Sequence, residues 1–200
     1  EASFLLVYPK LPIKNLKDLM SYIKDGKNRV LYGSTGIGTG SHLRMALFAK
    51  MNNLPMQHVP FKSPGEAAVS LIGGETHALF MTTTQALPLI KSGKALALAY
   101  DYPTRAEFMA DIPTMAEAGL AGFEVNSWYG LLAPAGTPRR IVQAINSELD
   151  QYVKSPEGRA KLLSIGLTST GGAVDAFADY YRRETERWVR VIRGAGIKND

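Results

Sequence analysis

Apolar and polar positions along this chain switch repeatedly between the period of a strand and that of a helix. Phe4-Leu5-Leu6-Val7-Tyr8 is an unbroken apolar run of strand length, the pattern of a strand buried on both faces. Asn15 then precedes Leu16, Leu19, Met20 and Ile23, apolar at i, i+3, i+4 and i+7, and Gly26 follows. An N-capped amphipathic helix is predicted there. Val30-Leu31-Tyr32 reads as a short strand feeding a glycine-rich loop over 33–40, with a helix over about 41–51. A strand follows over 56–61. Ser63-Pro64-Gly65-Glu66 is a capping box with proline at the first helical position, opening a helix that Gly73-Gly74 ends. Strands over 77–81 and 96–99 flank a helix over 84–92, whose Pro88 is expected in or near the first turn.

Thr114 and Glu117 form a second capping box, for a one-turn helix closed by Gly119. The stretch 123–132 is strand-like and runs into the breaker Pro134-Ala135-Gly136-Thr137-Pro138. The last third is mostly helical. Ile141, Ile145, Leu149 and Tyr152 share one helix face, and Ser155-Pro156 opens another helix that ends near Gly166. A long final helix carries Phe177, Tyr181, Trp188 and Ile192 on one face and Arg183, Arg187 and Arg190 on the other. Asp179 and Glu186 precede Arg183 and Arg190 by four residues, the spacing of intrahelical ion pairs. Short strands alternating with helices predict an α/β fold with a largely parallel sheet.

Composition narrows this picture. At 200 residues, 46% hydrophobic and 20% charged, the chain has the make-up of a globular protein rather than a disordered or fibrous one. It has no cysteine, which excludes disulfides, thiolate-ligated zinc and a thiol nucleophile. The net charge of +5 is spread among acids with no run of like charge, so no nucleic-acid partner is expected. No apolar stretch reaches the roughly 18 residues of a membrane span, and the opening residues lack the pattern of a signal peptide.

The chemistry-bearing segment is Tyr32-Gly33-Ser34-Thr35-Gly36-Ile37-Gly38-Thr39-Gly40-Ser41-His42. A strand gives way to small residues and then to a helix, a turn that presents backbone N–H groups at the positive end of a helix dipole. Two readings stand: an anion site built from these amides and the Ser34, Thr35, Thr39 and Ser41 hydroxyls, or a tight connection. The spacing Gly33 to Gly38 is that of a P-loop, but Thr39-Gly40 replaces the Lys-Ser/Thr pair, and there is no G-x-G-x-x-G. No nucleotide or other cofactor is expected. Ser41 and His42 are adjacent and diverge by about 100° on a helix, a poor nucleophile–base pair. His42, His58 and His77 lack metal-ligand spacing, so no metal site is expected; His42, at the start of the helix, is the functional candidate among them. A second polar cluster, Thr82-Thr83-Thr84-Gln85, follows the strand over 77–81. Parallel strands would bring it to the same sheet edge as the glycine loop; it reads equally as a simple threonine N-cap.

Four stretches resemble the tripartite tricarboxylate transporter receptors (TctC), the Bug family of periplasmic solute-binding proteins. They are Tyr32-Gly33-Ser34-Thr35-Gly36 with Ser41-His42-Leu43; Leu71-Ile72-Gly73-Gly74; Asp111-Ile112-Pro113-Thr114-Met115-Ala116-Glu117-Ala118-Gly119-Leu120 with Gly122-Phe123-Glu124-Val125; and Trp128 through Pro138. The closing Gly194-Ala195-Gly196-Ile197-Lys198 is similar as well, so the likeness runs from about Phe4 to Lys198. The resemblance implies type II periplasmic-binding-protein (Venus flytrap) lobes, each α/β, with a small carboxylate held in a cleft and delivered to a membrane permease. It implies no catalysis and a periplasmic location.

Carried onto this chain, the resemblance implies a hinge strand over 1–9, a second ligand-binding lobe over 10–130 and a return segment of the first lobe over 131–200. Its ligand residues would be Ser34, Thr35, Gly36, Gly38, Thr39, Ser41, His42, Thr82, Thr83 and Thr84. Two departures follow. Family members carry a long segment before the position of Phe4, so the N-terminal part of the first lobe is expected to be missing here, and dimerisation covering the incomplete lobe is expected in its place. Family members also carry aspartates where this chain has His77 and Met81, with no other acid replacing them nearby, which favours a plain carboxylate over a ligand bearing an ammonium group. The competing expectations are a hydrolase using Ser34 or Ser41 with His42, and an interaction module that binds no ligand.

Overall fold

The computed structural model describes residues 2–197 except 28, 124, 126, 127, 165 and 166. They form two units, Ala2–Ser127 with Val191–Asp200, and Trp128–Arg190.

The first unit is a five-stranded mixed sheet: β1 (Ser3–Val7), β2 (Val30–Ser34), β3 (Met56–Pro60), β4 (Ala78–Thr82) and β5 (Leu96–Tyr100), in the order β3-β2-β4-β1-β5. β2 is parallel to β3 and β4, whereas β1 runs antiparallel to β4 and β5. Four strands therefore point one way and only β1 opposes them. β1 lies between β4 and β5, all five of its residues buried. Pairing sets Phe4 opposite Met81 and Leu6 opposite Leu79, and these four pack with Ala67, Leu71 and Ala86 into one core face. Leu5 opposite Phe80 and Tyr32 opposite Ala78 lie on the other face.

The helices follow their local signals. In α1 (Leu16–Lys24) the Asn15 side chain accepts the Asp18 N–H at 2.9 Å, and Leu16, Leu19 and Ile23 are buried. In α3 (Pro64–Gly73) Ser63 accepts the Glu66 N–H at 3.2 Å, and Glu66 turns back onto the Lys62 N–H at 3.1 Å. Gly74 ends it in the left-handed region, at φ +76°. α2 (Gly40–Met51) and α4 (Thr83–Lys91) follow β2 and β4 directly.

Three expectations change in this unit. Pro88 lies inside α4, a turn later than expected; its ring removes the donor for the Thr84 carbonyl, yet the helix runs on to Lys91 and ends at Ser92. The Thr114–Glu117 box forms in both directions, with Glu117 N–H on Thr114 Oγ1 at 3.2 Å and Thr114 N–H on Glu117 Oε2 at 2.8 Å. It closes only a hydrogen-bonded turn, because Gly119 at φ +99° stops propagation. Among the described residues of 123–132 there is no strand; apolar alternation records burial preference, and a strand also needs a partner edge. Glu124, Asn126 and Ser127 lie outside the described residues.

The second unit holds α5 (Arg139–Lys154), α6 (Pro156–Ser164) and most of α7 (Val174–Gly194). Trp128 meets Phe177, Tyr180 and Tyr181 edge-on, with ring centroids 5.4–5.9 Å apart. The ion pairs along α7 are Asp179–Arg182 and Glu184–Arg187, both at i,i+3, rather than the i,i+4 pairs expected. The apolar row of α5 (Ile141, Ile145, Leu149, Tyr152) is 41–45% exposed.

Candidate functional site

The loop between β2 and α2 is wired to itself. Thr35 N–H donates to Ser41 Oγ at 3.0 Å, Gly36 N–H to Ser34 Oγ at 3.1 Å, and Gly38 N–H to His42 Nδ1 at 3.0 Å. Thr39 Oγ1 donates to the Gly36 carbonyl at 2.7 Å and lies 3.1 Å from Ser41 Oγ. Gly36 and Gly38, at φ +123° and +75°, occupy conformations that side chains with a Cβ rarely adopt.

With Thr39 N–H on the Gly36 carbonyl at 3.4 Å, four of the amides expected to meet an anion are already bonded inside the loop. The donors left over stand at the start of α2. Its first helical bond runs from Leu43 N–H to Thr39 C=O at 2.9 Å, and Thr39 makes no side-chain cap. Among the described residues the N–H groups of Ile37, Gly40, Ser41 and His42 have no hydrogen-bond acceptor. The last three end a twelve-residue helix at its positive pole.

Behind the loop lies an aromatic stack. The His42 and His58 rings are 3.7 Å apart and 8° from parallel, and the Tyr32 ring lies beside them, 5.0 Å from His58 and 6.2 Å from His42. His58 Nε2 is 2.6 Å from Ser34 Oγ. Burial lowers the His42 pKa, and burial followed by the neighbouring His42 lowers that of His58 to about 4. Burial pushes Tyr32 up to about 12. Tyr32, His42 and His58, with Ile37, Ala46, Met56 and residues 195–197, line a cavity of about 290 Å³. His77 is structural, its Nδ1 accepting the Leu31 N–H at 3.0 Å.

The sequence reading set His58 aside. Its signal is the parallel register, which puts His58 beside Tyr32 and is not visible in either strand alone. The hydrolase pairing also changes: Ser34 meets His58 rather than His42, and Ser41 meets Thr35 and Thr39. Ser34 is 1% exposed, which withdraws its hydroxyl from any substrate.

A buried ion pair underlies the helix start. Arg44 Nε bonds Asp101 Oδ2 at 2.5 Å, and Asp101 Oδ1 takes the Ser3 N–H. Both side chains are at least 95% buried. Burial raises the Asp101 pKa to about 6, against the opposing pull of Arg44 and the Ser3 amide. A Cβ on Gly40 would stand 2.8 Å from Arg44 Nη1, so the guanidinium packs directly under the first turn of α2. An acid therefore does reach this sheet edge, contributed by the end of β5 and neutralised there by Arg44.

The second polar cluster shares the edge. β4 is parallel to β2, with Ala78 opposite Tyr32, so Thr82 follows two residues past the level of Ser34. Thr83 is committed to β1, its N–H and Oγ1 both donating to the Ala2 carbonyl at 3.1 and 3.0 Å. Thr84 is exposed at the start of α4. Among the described residues no group of three His, Cys, Asp or Glu could hold a metal, and no helix is long and apolar enough to cross a membrane.

An α/β mixed sheet with a glycine loop and helix N-termini gathered at one strand edge is the lobe of a periplasmic binding protein of the TctC type. The profile of the tripartite tricarboxylate transporter family receptor matches residues 1–197, and the chain belongs to that family. One relative is the UPF0065 protein in the tcbD-tcbE intergenic region of Pseudomonas sp. (strain P51), 32% identical over 191 residues, which are 95% of this chain and 57% of that protein. The structure of R. palustris Rpa4515 with adipate has a TM-score of 0.82 at 31% identity, covering 98% of this chain and 66% of that one. MatC from Rhodopseudomonas palustris with bound malate has a TM-score of 0.79 at 28% identity, covering 96% and 66%. The chain thus spans less than two thirds of the length of these proteins. The family and these neighbours are binding proteins, not enzymes.

Proposed function

We propose that this chain is the ligand-binding part of a periplasmic receptor that captures a small organic carboxylate for a tripartite transporter and hands it to the membrane permease. In this reading residues 10–130 make the second lobe and 131–200 return to the first. The observation that carries it is the set of unmatched N–H groups at Ile37, Gly40, Ser41 and His42, held in place by a loop whose other amides are already bonded. Such a cradle suits a carboxylate, and two structural neighbours hold dicarboxylates, adipate and malate. Ser34, Thr35, Gly36, Gly38 and Thr39 shape the cradle, while Thr82 and Thr84 stand at the same edge for the remainder of the solute.

Hydrogen bonds to a charged group contribute about 1.5–3 kcal/mol each and a helix N-terminus about 0.3–1 kcal/mol. After the entropy of immobilising the solute, one lobe should bind in roughly the millimolar range, near 4 kcal/mol. Titrating the labelled chain with adipate and with malate should move the amide resonances of Ile37, Gly40, Ser41 and His42 to saturation. If a panel of mono- and dicarboxylates leaves all four in place, the site is wrong. We further propose that the exposed α5 row of this chain is covered by a second copy.

A further inference from the structure

We infer that His42 and His58, stacked and uncharged, are the positioning residues of the β2–α2 loop, and that taking up a proton on the pair unlatches it. This rests on the loop being the ligand site, as proposed above.

The bonding of His42 requires its neutral form, while His58 Nε2 shares a proton with Ser34 Oγ in either direction. His42 Nδ1 accepts the Gly38 N–H, so that nitrogen carries no proton; an imidazolium would turn one N–H against another. His58 Nε2 meets Ser34 Oγ at 2.6 Å, and the same oxygen accepts the Gly36 N–H and lies 3.1 Å from the Gly36 carbonyl. His58 thereby fixes Gly36 through Ser34, and His42 fixes Gly38 directly. Between these two glycines stands Ile37, whose N–H is one of the unmatched donors. Two positive charges on rings 3.7 Å apart and nearly parallel would repel strongly.

The surroundings hold nothing to offset such a charge. β2 contributes only Tyr32, neutral over the relevant range because burial raises it to about 12. His58 is the only titratable residue of β3, and neither β4, the loop over 35–39 nor residues 195–197 has one. On α2, Arg44 is turned to Asp101, and Lys50 is two turns on, where its Nζ lies beside Gly194. No carboxylate among the described residues faces either ring. The cavity of about 290 Å³ lies against the stack, lined by Tyr32, His42 and His58 themselves. Both histidines have pKa values lowered by burial, so the latched state is favoured at neutral pH and weakens as pH falls from 6.5 toward about 4.

The test is an NMR titration of the full chain from pH 7.5 to 4. The Gly36 and Gly38 amides should shift with the same midpoints as the imidazole C–H signals of His42 and His58. His42→Asn places an amide oxygen where Nδ1 stands, and His58→Gln places one near Nε2; neither takes up a proton. In the double variant the loop amides should hold their neutral-pH positions down to pH 4. With adipate as probe, wild-type affinity should fall at least threefold more than that of the double variant between pH 7 and 4.5, which removes the titration of adipate itself from the comparison. Loop amides that ignore the histidine titration, or an equal acid transition in the double variant, would overturn the inference. Should the double variant not fold, the wild-type titration and His42→Asn alone decide. If adipate binds while the amides stay silent, the latch is wrong and the site stands. If the amides follow the histidines while no carboxylate binds, the latch stands and the proposed ligand is wrong.

Discussion

Replacing Arg44 with methionine keeps most of the side-chain volume and removes the guanidinium. Asp101 then remains fully buried, with the Ser3 amide as donor but without its partner at 2.5 Å. Breaking a buried pair from one side costs about 3–5 kcal/mol when the surviving charge stays ionised. Protonation offers Asp101 a partial escape. Burial already raises its pKa to about 6, and the Arg44 charge is the strongest force pulling it down. A carboxyl whose folded pKa lies above its unfolded value stabilises the fold at low pH, and that contribution fades as pH rises through the folded value. In the wild type the fading is complete a little above pH 6. In Arg44→Met it continues to higher pH, so the deficit of the variant widens between about pH 6 and 8, by at most about 1.4 kcal/mol per unit. For a chain of this size each kcal/mol is roughly 2–4 °C in Tm. Calorimetry should therefore find Arg44→Met melting about 6–20 °C below wild type at pH 8 and distinctly closer to it at pH 5. An unchanged Tm, or a deficit that is the same at both pH values, would refute this account of the pair.

Ser63→Ala removes the acceptor for the Glu66 N–H and should destabilise the chain by about 1 kcal/mol, with Ser63→Asp restoring most of it; urea unfolding of the three proteins checks both. The exposed row Ile141, Ile145, Leu149 and Tyr152 should give a dimer mass by light scattering at micromolar concentration, and Ile141→Glu with Ile145→Glu should give a monomer. A wild-type monomer that binds no hydrophobic dye would contradict the proposed second copy.

What the sequence disclosed depended on distance along the chain. Caps at Asn15, Ser63 and Thr114 were legible because donor and acceptor lie three residues apart, within one turn. The run Phe4 to Tyr8 announced a buried strand, but its place between β4 and β5 depends on residues more than seventy positions away. The same limit hid the two features that shape the site. His58 joins Ser34 across 24 positions and Asp101 joins Arg44 across 57, and neither separation leaves a periodic trace. Arg44 did carry one local hint, a lone charge beside Met45 and Phe48 in the buried part of α2. The glycine loop was recognisable from residue types alone, whereas which of its amides stay open follows from the hydroxyls and His42 folding back onto it.

The position of β1 bears on how the chain is made. Its residues leave the ribosome before either neighbouring strand exists, and the first partner, Thr82 opposite Ser3, is polymerised roughly 4–16 s later at typical translation rates. During that interval an apolar pentapeptide has no edge to pair with, and β5 cannot join the sheet except through it. The nascent polypeptide is thereby held short of its native topology until Thr82 has been synthesised.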